Sequence, residues 1–325
     1  GEKEKMKIKL SRILPLIGIA LFVYVVKKAG ISNLISTFLG ANYFYIAIAV
    51  LFLPLIVLLQ TCKWHYVVGK QGIKMGLAEA YKIQLVSIFY GFVTPARIGS
   101  FVKIAYLQEK TKNLGKSASS VVIDRALDLL VVAFLAFLGS LSLASREFNI
   151  FYACIITFIL FLAGFTVLLN RKLMKFFAGI FYNSLLPAKF KRNAKKSFGD
   201  FYRNMPPMQS IVFMFALTAI FWILVYTQAY LSALAFNVQI SYMKFLIIFP
   251  ISVIISLLPI TISGLGTREI VLLKLLGNSA EKQNIVAFSM FWALLSLGVY
   301  TTAGLILIFK KGKKIRFVEC WLIPK

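Results

Sequence analysis

The chain has 325 residues, 60% of them hydrophobic, with a mean hydropathy of +0.83 and a formal net charge of +26. Several apolar runs reach the ~20 residues that cross ~30 Å of hydrocarbon, which excludes a soluble globular domain and marks a polytopic membrane protein. The lysines sit beside the apolar runs, so their charge reads as cytoplasmic loops on anionic lipid, and nucleic acid is not an expected partner.

In chain order, a basic N-terminus precedes an apolar run at 10–26. It lacks a small-residue cleavage site and is read as a retained helix, not a signal peptide. Further full spans are predicted at 43–61, 117–143, 149–169, 210–233 and 284–309. The segment 29–42 is too polar and short to cross. Its Ile31, Leu34, Ile35, Phe38 and Leu39 recur at helical spacing, so it is expected on the outer interface. The 170–209 segment alternates Lys189, Lys191, Arg192, Lys195 and Lys196 with Phe190 and Phe198. It reads as an amphipathic cytoplasmic linker on anionic headgroups.

Two apolar stretches, 83–108 and 244–276, are broken. Thr94-Pro95-Ala96-Arg97-Ile98-Gly99 interrupts the first and Pro259 through Glu269 the second. Broken backbone at membrane depth is tolerated only where protein or a cavity surrounds it. With both termini cytoplasmic, 29 Lys and Arg fall on the inner side and six outside. Both flanks of the first stretch then face in and both flanks of the second face out. Each is read as a re-entrant hairpin; kinked pairs of ordinary helices have the same sidedness. The expectation is an all-α fold of six full transmembrane helices plus two re-entrant helical hairpins in one domain. Residues 43–143 and 210–309 form an inverted-topology repeat, which places a site near the midplane.

Ionisable groups inside spans default to function. Asp124 and Asp128, four apart, share a helical face, and Arg125 lies about 100° away. They read as a charged cavity wall or as an internally paired structural trio. Arg97 and Arg268 sit at the breaks, beside backbone N–H groups expected to be free. Short helices are expected to start at about Ile98 and Thr267, and such N-termini with an arginine fork suit phosphate oxygens. Arg268 pairing simply with Glu269 is the alternative. Glu269 is expected to neutralise Arg125 or Arg97, or to carry a proton. Gly99, Gly264 and Gly266 give backbone freedom at the breaks, with Pro95 and Pro259 as the breakers. Cys62, Cys154 and Cys320 make no disulfide framework, His65 is an interface residue, and no metal site, cofactor, catalytic set or P-loop is expected.

Pro95-Ala96-Arg97-Ile98-Gly99-Ser100, Asp124-Arg125-Ala126-Leu127-Asp128 and Pro259 through Gly264-Leu265-Gly266-Thr267-Arg268-Glu269 together resemble the lysylphosphatidylglycerol synthase transmembrane (flippase-domain) family. The resemblance covers about Leu10 to Phe309. Ala96 and Ser263 stand where the family has glycine, Ser100 where it has an acid, and Asp124 where it has glutamate. It implies a flippase fold that moves a lipid headgroup, phosphate-bearing, aminoacylated or polyprenyl-phosphate-linked. The chain ends at Lys325 without room for an aminoacyltransferase, so it is expected not to be an enzyme. Two other readings stay open: a carrier of a small soluble anion, and a scaffold or accessory subunit of a lipid- or glycan-synthesis enzyme. The expected partners are membrane lipids in the cell membrane, with a homodimer as the default assembly.

Overall fold

The computed structural model describes residues 24–311 except 25, 28, 146, 186, 187, 257–265 and 278, with the backbone alone at 93, 95–97, 181–185, 188–190, 310 and 311. All regular structure among the described residues is helical. Helix α1 (Ile31–Leu39) buries Leu34 and exposes Ile31, Ile35 and Leu39. Helix α2 (Tyr43–Lys70) starts where the Asn42 side chain accepts from the Phe44 N–H at 3.1 Å. Helix α3 (Leu77–Val93) leads into a 3-10 turn (Pro95–Phe101) and then α4 (Val102–Thr111), which Lys112 closes in a left-handed conformation. Asn113 caps α5 (Leu114–Leu141) by accepting from the Lys116 N–H at 3.0 Å. Next come α6 (Phe148–Leu169), α7 (Arg171–Leu185), α8 (Ala188–Arg203) and α9 (Met208–Ala235). The chain closes with α10 (Tyr242–Ser256), α11 (Thr267–Leu276) and α12 (Lys282–Lys311).

Among the described residues, four helices are long and apolar enough to cross a membrane: α2, α6, α9 and Lys282–Phe309 of α12. The predicted span at 117–143 falls on α5, whose 28 residues rise ~42 Å but carry Asp124, Arg125 and Asp128. The predicted span at 10–26 lies almost wholly outside the described residues. Helix α2 runs nine residues past the predicted end at 61, because Lys63 is buried in protein and does not mark the edge of the bilayer.

Helix α2 packs along α9, α5 along α10, and α12 along α3. Glycine permits two of these approaches. A Cβ at Gly139 of α5 would overlap the Ile247 carbonyl of α10, and one at Gly304 of α12 would press on Phe89 and the Leu85 carbonyl of α3. Small residues at crossings are the usual device for bringing backbones together inside a bilayer.

Within the 170–209 linker, α8 docks on α5. Gly115 lies against the Ser197 carbonyl and Phe201, and the Asn113 side chain donates to Asp200 at 3.0 Å. Helix α7 instead leaves Leu173, Phe176, Phe177 and Ile180 exposed beside Lys172 and Lys175.

Candidate functional site

Asp124 and Asp128 share one face of α5, and that face receives a cation from each of two other helices. Lys63 of α2 lies 3.0 Å from Asp124 Oδ1, at an angle too poor for a hydrogen bond, and 2.5 Å from Asp128 Oδ1. Lys103 of α4 lies 3.3 Å from Asp124 Oδ2. Arg125 spans both carboxylates, 3.4 Å from Asp124 Oδ2 and 3.3 Å from Asp128 Oδ2. Lys103 also stands over the Trp64 ring at 4.6 Å and Lys63 over the Phe221 ring at 5.5 Å.

Both lysine side chains and that of Asp124 are fully buried, and Asp128 is 9% exposed. Burying such charges costs several kcal/mol each unless they are paired. Three basic side chains face two carboxylates, a formal surplus of one positive charge. Arg125, 22% exposed, is its most accessible member, and its Nε–H has no partner. An anion that reaches Arg125 would balance the surplus.

Arg268 and Glu269 form a second, separate cluster at the start of α11. Arg268 donates to Glu269 Oε1 at 2.8 Å, to Ser289 Oγ at 2.8 Å and to the Ser289 carbonyl at 2.9 Å. Ser289 donates to Glu269 Oε1 at 2.6 Å, and Gly266 N–H donates to Oε2 at 2.6 Å. Arg268 stacks on Trp292 at 5.0 Å. Both residues are buried, so Arg268 is satisfied internally. Glu269 therefore takes Arg268, and not Arg125, as its partner. Among the described residues no ion pair joins the two clusters.

Among the described residues, the Gly99 and Gly266 N–H groups at the breaks are also used. Gly99 N–H donates to Thr94 Oγ1 at 2.6 Å, and Thr94 Oγ1 donates to the Tyr90 carbonyl at 2.7 Å. Gly99 is buried, and a Cβ there would overlap that carbonyl, so a glycine is required. The α-helix after this break starts at Val102, four residues later than expected, because Pro95–Phe101 first makes a tighter 3-10 turn. Gly266 adopts φ 85° ahead of α11, a conformation that suits glycine. Pro95 and Arg97 lie within the 3-10 turn, their side chains outside those described; Pro259 and Gly264 lie outside the described residues.

Lys63 and Lys103 are the site residues that sequence reasoning missed. Both were counted as loop charge. The available signal was their isolation: Lys63 follows Thr61-Cys62 within an unbroken helical run, and Lys103 stands alone in Phe101-Val102-Lys103-Ile104. Removing both leaves the charge asymmetry at 27 to six.

A family described as Lysylphosphatidylglycerol synthase TM region matches residues 12–304. A UPF0104 membrane protein of Pyrococcus horikoshii is 25% identical, covering 93% of this chain and 97% of its own. UPF0104 membrane proteins of Methanocaldococcus jannaschii and Methanothermobacter thermautotrophicus are each 21% identical. The alignments cover 83% and 93% of this chain and 85% and 94% of theirs, respectively.

Proposed function

This chain belongs to the lysylphosphatidylglycerol synthase TM region family, and from that premise we propose that it is a lipid translocase. It carries a polar, phosphate-bearing lipid headgroup past Arg125 while the acyl or polyprenyl tails stay in the bilayer. The observation that carries this reading is the unbalanced cation of the Lys63–Lys103–Asp124–Arg125–Asp128 group, which offers Arg125 to an incoming phosphate. A planar guanidinium with an unused N–H suits phosphate oxygens. The chemistry is movement without bond making, so none of these side chains acts as a nucleophile or base.

The reciprocal packing supports an inverted repeat of 43–143 and 210–309. Helix α5 of the first half lies on α10 of the second, and α12 of the second lies on α3 of the first. In this reading α5 and the 10–26 segment complete six spans, the helices around each break form re-entrant hairpins, and both termini face the cytoplasm. Single cysteines at Lys74 and Gln239, in a background without native cysteines, then react with an impermeant maleimide from opposite sides of the cell membrane.

The direct test is headgroup movement in reconstituted liposomes, comparing wild type with Arg125→Ala. Selective movement of an anionic headgroup, lost in the variant, is expected. Uptake of soluble phosphate into the liposomes together with immobility of every lipid would identify a soluble-anion carrier instead.

A further inference from the structure

The two charge clusters are joined by a continuous file of aromatic rings. Lys63 stands over Phe221 at 5.5 Å, and Phe221 contacts Trp222 at 5.4 Å. Trp222 contacts Tyr226 at 5.6 Å, Tyr226 contacts Phe249 at 5.7 Å, and Phe249 meets Trp292 edge-on at 5.3 Å. Trp292 lies under Arg268 at 5.0 Å. Helices α9, α10 and α12 each contribute to the file.

Three polar atoms along it are buried and unpartnered: Trp222 Nε1, the Tyr226 hydroxyl and Trp292 Nε1. Tyr226 as a whole is 1% exposed. A buried polar group left unpaired is costly and rare in a native structure, so each such group calls for an explanation. Here three occur along one connected file of rings. The indole N–H groups only donate, and a phenol hydroxyl donates or accepts. What fits the wall is a group rich in oxygen acceptors with an apolar face to lay on the rings.

Charge narrows the class. At one end Arg268 is neutralised by Glu269, and at the other the surplus cation is presented by Arg125. Asp124, Asp128 and Glu269 are all paired, so a cationic aminoacyl headgroup finds no free carboxylate in either cluster. We infer that the Trp222–Tyr226–Trp292 wall binds the uncharged, hydroxyl-bearing part of a phospholipid headgroup, a polyol or a sugar, with the phosphate at Arg125. The inference rests on the translocase reading only in taking a bilayer lipid as the ligand.

The test measures binding in detergent, apart from movement. Three short-chain probes are titrated: dihexanoyl phosphatidylglycerol, dihexanoyl phosphatidylpropanol, which has the same charge and no headgroup hydroxyl, and dihexanoyl lysylphosphatidylglycerol. Ligand-induced shifts in melting temperature report affinity, with intrinsic tryptophan fluorescence as a second readout for variants that keep both indoles. Wild type should bind phosphatidylglycerol about three- to tenfold more tightly than phosphatidylpropanol, the size of one or two neutral hydrogen bonds. Tyr226→Phe, Trp222→Phe and Trp292→Phe should each move that ratio toward one. Tyr226→Phe without lipid should melt no lower than wild type, because it deletes an unpaired hydroxyl and keeps the ring. A ratio of one in wild type, an unchanged ratio in all three variants, or tighter binding of the lysyl lipid would overturn the inference. Discrimination that Tyr226→Phe abolishes, in a protein that moves no lipid, would overturn the translocase reading and leave this site standing. Movement without discrimination would do the reverse.

Discussion

Lys103 and Arg268 hold the same position in the two halves of the chain. Each is the second residue of a ten-residue helix that follows a break. Each lies over a tryptophan ring, Trp64 or Trp292, and each pairs with a buried carboxylate. The halves differ in what surrounds that pair. Asp124 is shared with Lys63 and Arg125, whereas Glu269 is closed around Arg268, Ser289 and the Gly266 N–H.

That closure predicts strong coupling in the second half. Arg268→Ala and Glu269→Ala should each destabilise the protein by about 3–5 kcal/mol, since each strands a buried charge. The double variant should lose less than the sum, by about 1–3 kcal/mol, in a double-mutant cycle on thermal unfolding. Additive losses would mean the two residues act independently.

Arg125→Ala should behave differently. It leaves Lys63 and Lys103 against Asp124 and Asp128, two charges of each sign, so the fold is retained. Transport in liposomes should fall at least tenfold while the melting temperature stays within a few degrees. Full transport in a folded Arg125→Ala protein would remove the role assigned to it.

Asp124→Asn should be among the most damaging changes in the chain. It strips the central carboxylate from Lys63, Lys103 and Arg125 and should cost about 3–5 kcal/mol. Adding Lys103→Met should restore part of the loss, because the net charge of the group then returns to its original value. Monodispersity and melting temperature in detergent would show whether rescue occurs.

Gly139→Val and Gly304→Val should each destabilise by about 1–3 kcal/mol, because the added carbons meet a neighbouring helix. Gly164→Ala in α6, where a Cβ meets nothing within 4 Å, should be neutral or slightly stabilising. Equal effects at all three positions would argue against close helix crossings.

The sequence made the Asp124–Arg125–Asp128 trio legible because charges inside an apolar helix are expensive and stand out. Pro95 and Gly99 likewise exposed the first break. Lys63 and Lys103 were not legible, because a lysine near an apolar run reads as a loop residue until three-dimensional packing surrounds it with carboxylates. Glu269 was located with its partner left open among Arg125, Arg97 and its neighbour Arg268, and it pairs with Arg268. Its neighbour Arg268 satisfies it locally, and only the position of Ser289 on α12 reveals that the pair is also held from across the fold. Helix bounds were predicted within two residues for α6 and α9, and poorly at the end of α2.

The crossing at Gly304 also bears on biosynthesis. Helix α3 leaves the ribosome well before α12, the helix that seals it at Gly304. Until α12 arrives, the face of α3 at Leu85 and Phe89 lacks its final cover. That face of α3 therefore meets lipid or the insertion machinery before it meets its partner helix.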